Sequence, residues 1–169
     1  MTLQINVRIA KRADILGLER IAKAKGDFDA GYFDKCFDEV DAGKRVVFLA
    51  ENARQICGYG LYVRNPGYRP FRRLNIPEIQ DLNVLPNMRK RGIGGQMIEF
   101  AEGLAVKDGA DMMGIAVGLH SSYGAAQRLY IRMGYVPDGA GVFYDNEPVG
   151  FGKMRPLDDN YTLKMTKAL

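Results

Sequence analysis

Residues Leu3–Ile9 alternate apolar and polar side chains, which predicts a half-buried strand. Asp14 follows as a candidate helix cap, because its carboxylate can accept from the first free N–H groups of a helix. Ile15, Leu18, Ile21 and Ala22 then recur at helical spacing until Gly26 and Asp27 break the run. Phe33, Phe37 and Val40 predict a weaker helix over Tyr32–Val40, ended by Asp41–Gly43. Arg45–Ala50 and Ile56–Val63 read as hairpin-paired strands around a turn at Asn52–Arg54. Tyr68–Pro77 is basic and shows no clear period.

Ile79–Leu85 reads as a strand stopped by Pro86. Ile93, Met97, Phe100, Ala101 and Leu104 predict a helix over Ile93–Val106, with Gly109 suited to the left-handed turn beyond it. Met112–Val117 is a nearly continuous apolar run, as in a strand covered on both faces. Ala126, Leu129, Tyr130 and Met133 predict a helix over Ser122–Met133. A short strand at Gly141–Tyr144, a loop over Asp145–Asp159 and an alternating strand at Tyr161–Thr166 complete the chain. No repeat, linker or low-complexity tract interrupts this order. It predicts one α/β (α+β) domain over residues 1–169.

Composition narrows the class. The chain has 169 residues, enough to bury roughly 70% of its unfolded surface without staples. At 47% hydrophobic and 26% charged it is an ordinary globular sequence, not a disordered, collagenous or disulfide-built one. No apolar run approaches the ~18 residues of a membrane span, and the N-terminus lacks a signal-peptide layout. Cys36 and Cys57 form no CxxC pair, and with His120 as the single histidine they cannot supply a usual four-ligand zinc site. No metal is expected, and the thiols read as free and reduced in a cytoplasm. The 24 Lys and Arg against 20 Asp and Glu give +4, a charge that suits a small anion or a nucleic acid and decides neither.

The chemistry concentrates in Leu82–Gly95. A strand ends at Pro86, Arg89, Lys90 and Arg91 follow, and then Gly92, Gly94 and Gly95 open a helix around Ile93. Unpartnered amides and the positive end of the helix dipole meet there. Glycines admit close approach and the basic side chains add charge, so the segment reads as a phosphate cradle. It is no P-loop, since the GK[ST] ending is missing, and it lacks the third Rossmann glycine.

Arg89-Lys-Arg-Gly-Ile-Gly94 resembles the [QR]-x-x-G-x-[GA] signature of the GCN5-related N-acetyltransferases (GNAT). Ala126-Gln-Arg-Leu-Tyr-Ile-Arg-Met-Gly-Tyr135 resembles that family's A-x-x-L-Y-x-x-x-G-[FY] helix and turn. One departure stands out: where many members carry a cofactor-contacting asparagine, this chain has Tyr123. The resemblance implies a mixed, mostly antiparallel central sheet flanked by helices. It also implies acetyl-CoA as cosubstrate, its pyrophosphate on the amides of Arg91, Gly92, Ile93, Gly94 and Gly95 with Arg89 and Lys90 nearby. The pantetheine arm would bond the backbone near Asn83, Val84 and Leu85, a form of strand addition.

Acetyl transfer to an amine needs a base, since an alkylammonium has a pKa of about 10, and an acid for the leaving thiolate. Tyr130 occupies the motif tyrosine and is the acid candidate. Glu78 lies fourteen residues before Gly92, an offset resembling the base of histone-acetylating members. Asp81 is the other base candidate, on the opposite face if the strand is regular; a bulge would change that. His120 follows the Met112–Val117 strand and reads as a loop or capping residue able to titrate near neutrality. Asp27, Asp29, Asp34 and Asp38 cluster with Tyr32 and Phe33 where the family builds its acceptor site, and the Asp145–Asp159 loop is long enough to cover it. The implied acceptor is a small-molecule amine, with a protein amine as the alternative, and homodimers are common in the family. Two other classes compete: a non-catalytic acyl-CoA-binding module, and a nucleic-acid binder using Arg64–Arg73 and Arg89–Arg91. The modest charge and the lack of a nucleic-acid motif weigh against the last.

Overall fold

The structure, a computed structural model, describes residues 4–26, 28–53 and 55–169. They form two compact units. The first takes the chain up to Arg64 and adds Ile79–Leu104; the second takes Asn65–Glu78 and Ala105–Leu169.

In the first unit, β1 (Asn6–Ile9) pairs antiparallel with β2 (Arg45–Asn52), which pairs antiparallel with β3 (Gln55–Val63). Most of β4 (Glu78–Val84) lies beside β3. Strand β3 is buried continuously from Ile56 to Val63, as expected of a strand covered on both faces. Helices α1 (Ile15–Lys25) and α2 (Tyr32–Asp41) pack on β3 and β2, driving Leu18, Ile21, Phe33 and Phe37 against Val47, Leu49, Tyr59 and Leu61. Helix α1 begins directly after Asp14, but that carboxylate makes no cap bond to α1. It accepts two bonds of 2.9 Å from Arg8 and one of 2.8 Å from the Lys11 N–H. A bidentate guanidinium outcompetes the helix amides for its oxygens.

In the second unit, β5 (Met112–Gly118), β6 (Val136–Tyr144), β7 (Glu147–Pro148) and β8 (Tyr161–Ala168) stand in the order β5-β8-β6-β7, with each neighbouring pair antiparallel. The unpatterned Tyr68–Pro77 segment contains a helix, α3 (Arg69–Arg73), with Pro70 in its first turn. Its Phe71 meets Tyr68 edge-on at 4.7 Å, and Tyr68 meets Phe143 at 4.8 Å, forming a small aromatic core with Ile76. Phe71 also lies on Gly114, where an added Cβ would stand 2.3 Å from the ring.

Three expectations need correction here. The short strand at Gly141–Tyr144 begins earlier, at Val136, because left-handed Gly139 and Gly141 absorb a register shift between Pro137 and Val142. The loop after it starts with a two-residue hairpin, since Asp145 and Asn146 both adopt positive φ, the requirement of a type I′ turn. The helix expected from Ser122 opens instead as a 3-10 turn, Ser121–Tyr123, before α5 (Gly124–Arg132). Helix α4 (Ile93–Lys107) matches its expected span to within a residue and belongs to the first unit up to Leu104. The pairings β1–β2, β2–β3, β5–β8, β6–β8 and β6–β7 are antiparallel and helices pack on the strands, so the expected α/β class with a mostly antiparallel sheet holds. Among the described residues no helix is long and apolar enough to cross a membrane.

The Phe71–Gly114 contact is testable. Gly114→Ala should destabilise the protein by about 1–3 kcal/mol through overpacking, measured by urea unfolding. Adding Phe71→Leu should recover part of that loss.

Candidate active site

The end of β4 builds the first part of the site. Strand pairing continues one residue past Val84, because the Leu85 N–H donates to the Cys57 carbonyl at 2.8 Å. Pro86 then starts a 3-10 turn, in which the Met88 N–H donates to the Leu85 carbonyl at 2.9 Å. The Leu85 N–H is therefore already spent inside the protein. The Arg89 Nε donates to the Val84 carbonyl at 3.0 Å and ties the basic loop back to the strand. The Asn83 side chain folds back on the Asp81 carbonyl at 3.0 Å. Beneath this stretch Gly58 is needed for close approach: an added Cβ would stand 2.9 Å from the Asn83 carbonyl oxygen.

The loop reverses through two left-handed residues, Lys90 at φ +60° and Gly92 at φ +80°. Nothing lies within 4 Å of where a Gly92 Cβ would stand, so this position faces open space. Helix α4 starts next, and its first internal bond of this kind is from the Gln96 N–H to the Gly92 carbonyl at 3.2 Å. The amides of Ile93, Gly94 and Gly95 precede that bond and have no partner a turn earlier within the helix. Ile93 is buried and anchors the turn, while Arg89, Lys90 and Arg91 are exposed. The arrangement sets a helix start beside three exposed basic side chains, which suits an anion.

The two candidate carboxylates sit in opposite surroundings. Asp81 is exposed, and its backbone is left-handed at φ +49°. That breaks the regular alternation expected along β4. It accepts a hydrogen bond from the Tyr32 hydroxyl. Burial first, and then the Asp81 charge, push the Tyr32 phenol far above its ordinary value, so Tyr32 is the donor in this pair. Asp81 and Tyr32 line a cleft of about 230 Å³ with Ala22, Lys25, Phe28, Asp29, Phe33 and Tyr59. Of the acidic cluster expected to form an acceptor site, Asp29 lines this cleft. Asp38 is instead drawn to Arg12 at 2.7 Å, Asp34 lies in the first turn of α2, and Asp27 lies outside the described residues.

Glu78 belongs to the second unit and is 1% exposed. Its carboxylate accepts from the Lys164 ammonium at 2.8 Å, and Lys164 is also buried, 5.1 Å from the centre of the Tyr68 ring. A buried carboxylate engaged by a buried ammonium is shielded from solvent and from a substrate. Tyr130 is buried on α5, and burial pushes its phenol up to about 12. His120 bonds Asp159 through Nε2 at 3.0 Å and Ser122 through Nδ1 at 2.9 Å. Tyr123, in the departing motif position, donates to the same Asp159 at 2.8 Å. His120 is thus a loop residue tying the β5–α5 turn to the end of the long loop. Among the described residues no group of three or more His, Cys, Asp or Glu is placed to hold a metal ion.

The structure brings Asp81, Asn83, Val84 and the Arg89–Gly95 loop together in the first unit. Lys164 was missed as a partner of Glu78 because it falls in the polar phase of β8, which reads as a solvent face. Phe28 and Tyr59 were missed as cleft walls. Phe28 is a lone aromatic in a turn, and Tyr59 reads as ordinary strand core.

The family model described as "Acetyltransferase (GNAT) domain" matches residues 43–137. No curated protein sequence matches the chain significantly. Solved structures share the fold at low identity. A ribosomal-protein-alanine N-acetyltransferase from Brucella melitensis is 20% identical with TM-score 0.72, covering 97% of this chain and 99% of its own. A GNAT superfamily phosphinothricin acetyltransferase from Sinorhizobium meliloti, in complex with AcCoA, is 18% identical with TM-score 0.73, covering 100% and 89%. An aminoglycoside 6'-N-acetyltransferase complexed with coenzyme A is 14% identical with TM-score 0.70, covering 96% of each chain.

The buried pair yields a sharp expectation. Lys164→Met should cost about 3–5 kcal/mol by stranding the Glu78 charge, and the double change Glu78→Gln with Lys164→Met should restore most of it in urea unfolding.

Proposed function

Because the chain belongs to the GNAT acetyltransferase family, we propose that it transfers the acetyl group of acetyl-CoA to a primary amine by direct attack in a ternary complex. The observation that carries this reading is the sequence of strand end, basic loop and helix start within one unit. Its left-handed Gly92 opens on free space at the first turn of α4. Residues fit the cosubstrate on that ground. The amides of Arg91, Gly92, Ile93, Gly94 and Gly95 would take the pyrophosphate, with Arg89 and Lys90 adding charge. Backbone groups of Asn83 and Val84 would take the pantetheine arm. Coverage of 96–100% of the chain by single solved structures supports reading residues 1–169 as one domain.

Of the two carboxylates, Asp81 suits the base. It is exposed and lines a cleft, whereas Glu78 is buried against Lys164. Asp81 takes a proton from the acceptor ammonium, directly or through water. The freed amine attacks the thioester carbonyl and a C–N bond forms; the attacking nitrogen releases its surplus proton to solvent as the intermediate collapses and the C–S bond breaks. By the family resemblance, Tyr130 is the candidate that would donate a phenolic proton to the leaving thiolate and be reprotonated from solvent. A phenol pushed up to about 12 is protonated throughout the working range, which suits an acid.

Calorimetric titration with acetyl-CoA tests the cradle. Micromolar binding is expected, and Gly92→Glu should weaken it at least about tenfold, since a carboxylate would stand where phosphate lies. Undiminished affinity in a variant with an unchanged circular dichroism spectrum would refute the cradle. Tyr130→Phe should lower kcat by about 10²-fold with acetyl-CoA affinity unchanged. In the parent protein Tyr130 should add no falling limb to the kcat profile below about pH 10.

A further inference from the structure

We infer that the cleft of the first unit selects a compact primary ammonium carrying an apolar or aromatic body, in preference to an extended polycation or an amino sugar. This inference rests on the acetyl transfer proposed above and names the acceptor class of that site. Size is the first argument. The cleft holds about 230 Å³, below the ~300–1,000 Å³ of pockets for drug-sized ligands. One ring with a short amine arm fits that space; a three-ring amino sugar does not.

The walls are the second argument. Four of the eight lining residues are Phe28, Tyr32, Phe33 and Tyr59. Tyr32 meets Phe33 edge-on at 5.2 Å, and Phe33 meets Tyr59 edge-on at 5.1 Å. Such rings offer apolar contact and negative faces, which attract an ammonium. The protein already uses one this way, since the Lys23 ammonium stands 4.3 Å over the Phe28 ring. Sugar hydroxyls buried against these walls would lose water without gaining partners.

Charge is the third argument. Among the described residues, Asp29, Asp81 and Lys25 are the charged groups lining the cleft. One cationic group is favoured there. A second would meet Lys25, which weighs against a polyamine. The Tyr32 hydroxyl holds one Asp81 oxygen in place, so the carboxylate is fixed at the cleft wall rather than free to swing away. Asp81 also stands three residues before Val84 on the strand assigned to the pantetheine arm, which places the selected ammonium beside the proposed base.

The test is kcat/KM at saturating acetyl-CoA, read as thiol release, for 2-phenylethylamine, spermidine and kanamycin. 2-Phenylethylamine should exceed the other two at least tenfold. Phe28→Ala, at a partly exposed wall, should raise the KM for 2-phenylethylamine at least fivefold with acetyl-CoA affinity unchanged. Equal or better use of spermidine or kanamycin overturns the inference while leaving acetyl transfer intact. If no amine is acetylated, the transfer reading fails, and calorimetry with 2-phenylethylamine alone decides the cleft. Saturable binding weakened by Phe28→Ala sustains the inference, and absence of binding overturns it.

Discussion

The organisation of the site depends on how the end of β4 spends its backbone. The Leu85 N–H goes to Cys57 and its carbonyl receives Met88, so the chain is pinned at the moment it leaves the sheet. Arg89 reaches back to Val84 and fixes the basic loop to the same point. With both ends of the turn held, Lys90 and Gly92 must take left-handed conformations for α4 to begin where Ile93 can bury itself. The open helix start is a consequence of that geometry, not a separate device. A glycine at position 92 makes the reversal inexpensive, whereas a side chain there would carry roughly 1–2 kcal/mol of backbone strain.

The carboxylates show how position on one strand produces opposite chemistry. Three residues apart, Glu78 is sealed with Lys164 in the second unit and Asp81 stands at a solvent-filled cleft in the first. A left-handed aspartate in mid-strand is costly but tolerated, since aspartate visits that region more readily than most residues. What it gains is a carboxylate turned toward the Tyr32 hydroxyl and the aromatic walls.

Much of this was legible in the sequence. Helix α4 and strands β2, β3 and β5 carry strong periodicity or unbroken apolar runs, α2 a weaker pattern, and the observed spans of all five begin within a residue of expectation. The glycine and basic residues of the Arg89–Gly95 loop also announced themselves, because that chemistry is local. The rest was not legible for physical reasons. Helix α3 is five residues long and is held by Phe71 on Gly114, a contact visible only once distant segments meet. The cap expected of Asp14 lost to Arg8, a partner on another element. The left-handed Asp81 meets the Tyr32 hydroxyl of α2, a partner 49 residues away in sequence. Lys164 hid in a polar phase that the fold covers.

The interleaving of the two units sets how the chain can be made and cut. The polypeptide passes between them after Arg64, after Glu78 and after Leu104. Neither unit is a continuous stretch, so no single truncation releases one of them whole. During synthesis the first unit waits for the segment ending at Leu104, and the excursion Asn65–Glu78 waits for the strands that follow Ala105. Closing those long separations is the slow, entropically expensive part of assembly. Fragments that stop between Arg64 and Leu104 would emerge with the cradle unbuilt and a finished hairpin already committed to a partner not yet translated.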